Sequence, residues 1–107
     1  MDKNRKYSIT TENDDDTNIR SVIAEGELSL RYINEIREEI KSAISGVKNL
    51  KIIIRNANMI DLSFLQLVIS LQNKYKTEKK KISVEFEVDQ ENRDLLINSG
   101  FEELLKT

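Results

Sequence analysis

The chain has no cysteine, histidine, proline or tryptophan, and only three glycines in its 107 residues. Each absence closes off some chemistry. Without cysteine there are no disulfides, no thiol nucleophile and no thiolate ligands. Without histidine, imidazole acid–base catalysis goes too, and with it the zinc sites built from Cys and His. A cysteine-free composition fits a reducing compartment. Gly26, Gly46 and Gly100 stand singly, so there is no glycine-rich phosphate loop. An excess of one charge sign is missing as well. Seventeen Lys and Arg against nineteen Asp and Glu leave a net charge of −2, a field that does not draw nucleic acid. No apolar run approaches the roughly 20 residues that a membrane helix needs. The opening Met1-Asp2-Lys3-Asn4-Arg5-Lys6 leads into no apolar stretch of the secretory kind. The expectation is one cytoplasmic domain over residues 1–107, with flexible ends at 1–6 and 106–107. It has a single core, no membrane insertion and no nucleic-acid partner.

What is present reads as alternating strands and helices. Residues 7–10 alternate as a half-buried strand does. Residues 10–18, with Asp14-Asp15-Asp16, read as an exposed hairpin or loop; three adjacent carboxylates rarely converge on one cation. Residues 19–25 form a second strand, with Val22, Ile23 and Ala24 central and Gly26 breaking it. Ser29 is placed to cap a helix over residues 31–45. Its apolar positions Ile33, Ile36, Ile40, Ile44 and Val47 step by three and four, and Gly46 can end it in a left-handed conformation. Residues 50–54 are the most apolar strand and are expected at the centre of the sheet. Residues 56–61 read as a polar loop. Asp61 can cap a second helix of about 14 residues, roughly 20 Å, with Phe64, Leu67, Val68, Leu71 and Tyr75 as its buried stripe. Residues 77–81 are a basic connector. Ile82, Val84, Phe86 and Val88 alternate with Ser83, Glu85 and Glu87, a strand with one wet face. Asp89 can cap a short helix through Leu95 and Leu96, and Phe101 and Leu104 close the core. The order β-β-α-β-α-β-α-(α) describes an α/β fold, a small mixed four-stranded sheet with helices packed on one face.

Catalytic constellations are scarce. No serine has a histidine to activate it, and nothing sets a lysine against a serine. Glu25, Glu27 and Asp61 stand at strand ends that can lie side by side, the place for a hydrolytic carboxylate pair or a magnesium site. The plainer reading makes Asp61 a helix cap and the glutamates solvated. Lys79-Lys80-Lys81, with Lys74 and Lys76, can meet an acidic partner or anionic lipid, or simply favour a helix C-terminus.

Three motifs carry a resemblance. Ala24-Glu25-Gly26-Glu27-Leu28-Ser29 resembles the "GEL" turn of STAS domains, the family of anti-sigma factor antagonists. Residues 52–64 resemble that family's strand–loop–helix, in which Asp-Ser-Ser/Thr-Gly-Leu follows a hydrophobic strand. Asn98-Ser99-Gly100-Phe101-Glu102-Glu103-Leu104 resembles its closing turn and last helix. The similarity spans about residues 7–105. It implies a four-stranded sheet with helices on one face and a non-enzymatic switch protein. In that family's best-known group the Ser directly after the Asp is phosphorylated by an anti-sigma kinase, and the unphosphorylated form binds that kinase.

The chain departs from the pattern where the switch would sit. Leu62 follows Asp61 and cannot accept phosphate, and Ser63 is the nearest possible acceptor. Phe64 holds the glycine position, and Ser29 stands where phosphorylated members often carry an Asp. The resemblance therefore implies an interaction module without the usual phospho-switch. Its partner would be an anti-sigma factor or kinase, or a chemotaxis or other two-component assembly. Two alternatives are the small STAS subunit of a bacterial lipid-transport ATPase and a ligand- or nucleotide-binding STAS domain with a pocket between Glu27, Ser29 and Asp61. No cofactor, metal or catalytic residue is implied. The expected partner-binding residues are Glu27, Ser29, Asn58, Asp61, Leu62, Ser63 and Gln66, with Leu62 as apolar anchor and Phe64 more suited to the core. The wet face of the sheet, marked by Glu85 and Glu87, is open to a weak homodimer.

Overall fold

The computed structural model describes residues 6–87 and 90–98. The expected cap at Asp89, the closing turn from Ser99 to Leu104 and the proposed flexible residues 1–5 and 106–107 lie outside the described residues.

The elements are β1 (Tyr7–Asp14), β2 (Ile19–Leu28), α1 (Ile33–Ile44), β3 (Asn49–Ile60), α2 (Leu62–Thr77), β4 (Lys81–Glu87) and α3 (Gln90–Asn98). They form a mixed sheet in the order β1-β2-β3-β4. β1 and β2 are an antiparallel hairpin, while β2, β3 and β4 run parallel, which the helical crossovers α1 and α2 allow. The core is one cluster. Val22, Ala24, Leu28, Leu50, Ile52, Ile54, Val84 and Phe86 line one sheet face, and Ile33, Ile36, Ile40, Ile44, Phe64, Leu65, Leu67, Val68, Leu71 and Tyr75 come from the helices. The isoleucine stripe of α1 is buried along its whole length, as its spacing predicts. Ser83, Glu85 and Glu87 are exposed, so β4 has the wet face read from its alternation.

Several boundaries differ from the sequence reading. β1 does not stop at Thr10 but continues to Asp14. The acidic stretch supplies the turn itself, where Asp14 Oδ1 accepts from the backbone of Asp16 at 3.0 Å and Thr17 at 3.4 Å and Asn18 takes a positive φ of 58°. Gly26 does not break the second strand. β2 runs through it, with φ +92° and a register shift against β3 on either side, so the glycine makes a bulge instead of an end. Of residues 56–61, read as a loop, all but Asp61 belong to a strand. β3 carries on to Ile60 beside β2, pairing Ala57 with Gly26, Met59 with Glu27 and Ile60 with Leu28. The polar composition around Asn56 hid this. Asn56 takes a positive φ of 49°, a conformation asparagine tolerates. Its side chain donates to Glu25 Oε2 at 2.8 Å, and Arg55 approaches the same carboxylate at 3.8 Å.

The helix ends follow their chemistry. After α1, Gly46 takes φ +76°, and Val47 N–H donates to the Ile44 carbonyl at 2.9 Å. α2 is 16 residues long and ends in the lysine run. Lys79 takes φ 58°, Lys80 N–H returns to the Tyr75 carbonyl at 2.8 Å, and Lys80 Nζ meets Glu78 at 2.9 Å. The cluster thus serves a helix C-terminus. The buried Tyr75 hydroxyl donates to the Val47 carbonyl at 2.7 Å.

Candidate functional site

Parallel pairing brings the carboxyl ends of β2 and β3 side by side, and each strand leads into a helical segment. Such ends are where α/β sheets place their working surfaces. β2 passes through Ser29 into a single 3-10 turn, Leu30–Tyr32, and then α1. β3 passes through Asp61 into α2. Asp61 N–H donates to the Leu28 carbonyl at 3.1 Å, which closes the gap between the two exits.

Asp61 is the centre of this corner. It caps α2 as its sequence position predicts. Oδ1 accepts from Ser63 N–H at 3.1 Å, Phe64 N–H at 3.4 Å and the Ser63 hydroxyl at 2.5 Å. Oδ2 does something the sequence did not suggest: it accepts from Leu30 N–H at 2.7 Å, 31 positions earlier in the chain. One carboxylate therefore satisfies orphan donors at the starts of two helical segments. Partial burial pushes the Asp61 carboxyl up. The hydrogen bonds from the Ser63 hydroxyl and the Leu30, Phe64 and Ser63 backbones outweigh that and hold it below the ordinary 3.8.

Ser29 does not cap α1. It sits in extended backbone before the 3-10 turn with no capping bond from its side chain. Its buried hydroxyl donates instead to Glu27 Oε2 at 2.8 Å. The cap reading fails because the Ser29 hydroxyl is turned back to Glu27, while Tyr32 N–H goes to the Ser29 carbonyl at 3.0 Å and Leu30 N–H to Asp61. Glu25 turns to Asn56 and Arg55 and Glu27 to Ser29, while both Asp61 oxygens accept from protein donors. Among the described residues no three acidic side chains are grouped to hold a metal ion.

Three residues within two positions of Asp61 in the chain, or tied to it by hydrogen bond, carry exposed apolar side chains. Leu62, the residue after Asp61, is 55% exposed; Met59, two before it, is 49%; Leu30, tied to it by hydrogen bond, is 70%. Among the described residues the only other large hydrophobic side chain so exposed is Ile97. Asn58 and Gln66 are exposed, Gln66 one helical turn after Leu62, and Glu27 is half-buried. Phe64 is fully buried, so it is core and no anchor. Ser63 is half-buried with its hydroxyl held by Asp61.

The predicted site residues Glu27, Ser29, Asn58, Asp61, Leu62, Ser63 and Gln66 thus lie at or beside one corner, and Leu30 and Met59 were missed. Leu30 lies three residues before Ile33, a spacing that would bury it on the stripe of a longer α1. The extended Ser29 and the 3-10 turn take it outward instead. Met59 is exposed because it alternates with buried Ile60 on a strand, a signal legible only once residues 56–60 are read as strand.

No protein-family model matches the sequence, and no curated protein matches it. Solved structures do match in shape. The antisigma-factor antagonist STAS domain from Rhodobacter sphaeroides superposes with a TM-score of 0.59 at 19% identity, over 76% of this chain and 87% of that one. The anti-sigma factor antagonist SpoIIAA in its unphosphorylated form gives 0.66 at 18% identity, over 91% and 84%. The Bacillus cell fate determinant SpoIIAA in its phosphorylated form gives 0.59 at 18%, over 91% and 87%. The chain has the fold of a STAS domain, as the three sequence motifs imply.

Proposed function

We propose that this chain is a protein-interaction module of the anti-sigma factor antagonist type. Its docking surface is the corner formed by Leu30, Met59 and Leu62, with Glu27, Asn58, Asp61 and Gln66 as polar rim. It works by binding a signalling partner, an anti-sigma factor or a comparable regulatory protein, and not by catalysis. The observation that carries this reading is the exposure of three large apolar side chains on residues tied to Asp61 by hydrogen bond or within two positions of it in the chain. Such a patch with a polar rim is the anatomy of an interface core. The STAS fold, shared with anti-sigma factor antagonists, supports the partner class.

The contact is constitutive in this reading. Leu62 has no hydroxyl, and the Ser63 hydroxyl is engaged by Asp61 at 2.5 Å. A phosphate on Ser63 would sit against that carboxylate, where like charges repel.

The test is affinity capture from the cells of origin with wild type, Leu30→Asp, Leu62→Asp and Lys76→Asp, the last on the far end of α2. A protein held by wild type and by Lys76→Asp is expected to be weakened about 30-fold or more by either aspartate at the corner, the effect of losing an interface hot spot. If all four baits retain the same proteins equally, the surface has been misplaced.

A further inference from the structure

We propose that the groove between α1 and α2 binds a small anionic amphiphile, a single apolar chain with a carboxylate or phosphate head. Each helix crosses between parallel strands and packs on the same sheet face, so the two run in the same direction. Their C-terminal halves leave a groove of about 440 Å³ between them. Its apolar walls are Ile40 and Ile44 from α1 and Leu67, Leu71 and Tyr75 from α2, which recur at three- and four-residue steps along one face of each helix. The corner at Asp61 lies at the opposite ends of the same two helices.

Size selects a small ligand. A helix with its side chains is about 10–12 Å across, so two turns of one occupy roughly 850 Å³ or more. Pockets for small molecules begin at about 300 Å³. The groove has room for an alkyl chain and not for a helix.

Charge selects the head. Arg37, Lys41, Lys74 and Lys80 line the groove against a single carboxylate, Glu78. Lys80 answers that carboxylate: its Nζ meets Glu78 at 2.9 Å and lies 5.5 Å from the centre of the Tyr75 ring. Arg37, Lys41 and Lys74 are left in excess, in a chain whose net charge is −2. Lys41 and Lys74 are exposed, and half-buried Arg37 gives one N–H of its fork to Asn34 at 3.1 Å. The aliphatic stems of such side chains lie along an apolar ligand while their ends reach its charge. Arginine and lysine bind carboxylate and phosphate through charge-assisted hydrogen bonds. Apolar walls under a cationic rim therefore fit an anionic head on one hydrocarbon tail.

Isothermal titration of the full chain with decanoate, kept below the concentration at which it forms micelles, tests this. Saturable one-to-one binding is expected, about tenfold or more tighter than that of decanol or decyltrimethylammonium. Lys41→Glu and Lys74→Glu are each expected to weaken it about threefold, and together about tenfold. Lys51→Glu makes the same charge change beside Glu85 on the wet face of the sheet and is expected to leave binding unchanged. Ser70 lines the groove from an exposed position. Ser70→Trp therefore fills the groove without entering the core, and is expected to abolish binding while the urea midpoint stays that of wild type. The absence of saturable decanoate binding overturns the proposal. So does binding that Ser70→Trp and both lysine reversals leave unchanged, or that decyltrimethylammonium reproduces. If decanoate fails, three further measurements reassign the groove. Self-association lost in Ser70→Trp would give it to a second copy, a captured protein lost in Ser70→Trp to a partner, and pelleting with phosphatidylglycerol vesicles to a lipid surface.

Discussion

Asp61 concentrates more structural work than any other residue described. Its four accepted hydrogen bonds come from Leu30, Ser63 and Phe64, so removing the carboxylate orphans donors in two places at once. Asp61→Ala is expected to destabilise the chain by about 2–3 kcal/mol in urea denaturation, more than an ordinary cap loss of about 1 kcal/mol. Asp61→Asn keeps one acceptor oxygen but turns an amide N–H₂ toward either Leu30 or Ser63, and is expected to cost about 1–2 kcal/mol. The pH dependence has a definite sign. The folded carboxyl titrates below 3.8, so folding favours the ionised form. This stabilisation is complete above the range where an unfolded aspartate titrates, about 4. It is lost as pH falls through the lower folded value. Denaturation midpoints taken down this acid limb should therefore fall less steeply for Asp61→Asn than for wild type.

At the scale of the element, the two described glycines do different jobs. A Cβ on Gly26 would meet the Lys6 carbonyl oxygen at 2.3 Å and Tyr7 Cα at 2.9 Å, both backbone atoms at the entry to β1, at φ +92°. A Cβ on Gly46 would meet nothing within 4 Å, at φ +76°. Gly46→Ala carries only the left-handed penalty, about 1 kcal/mol, whereas Gly26→Ala adds a clash the sheet cannot relieve and is expected to cost at least about 2 kcal/mol more. Thermal or urea midpoints of the two variants check this ordering. The same two positions show how far the elements were legible. Gly46 ends α1 as its spacing announced, because a helix stop is a local event. Gly26 misled, since a glycine that ends a strand and one that bulges it look alike until the neighbouring strand is known. Asn56 misled for the same reason. The alternation of β4 and the isoleucine stripe of α1 needed no such context, because each periodicity states its own buried face.

For the molecule as a whole, the layer architecture was readable and the proposed docking corner only in half. Leu62 and Asp61 could be found because they are consecutive. Leu30 could not, because the bond that brings it to Asp61 spans 31 positions and depends on β2 and β3 pairing in parallel. The corner has no counterpart in any continuous stretch of sequence. The corner therefore does not exist until β2 and β3 have paired. A synthetic peptide covering residues 56–70 carries Met59 and Leu62 but neither Leu30 nor the tie. It is therefore expected not to displace the chain from its partner in a competition assay, even in large excess. A displaced chain would show that the α2 segment alone is recognised. On the proposed docking, a nascent or damaged copy in which β2 and β3 have not paired would lack the surface its partner reads, and recognition would then double as a proofreading step on whether the polypeptide has finished folding.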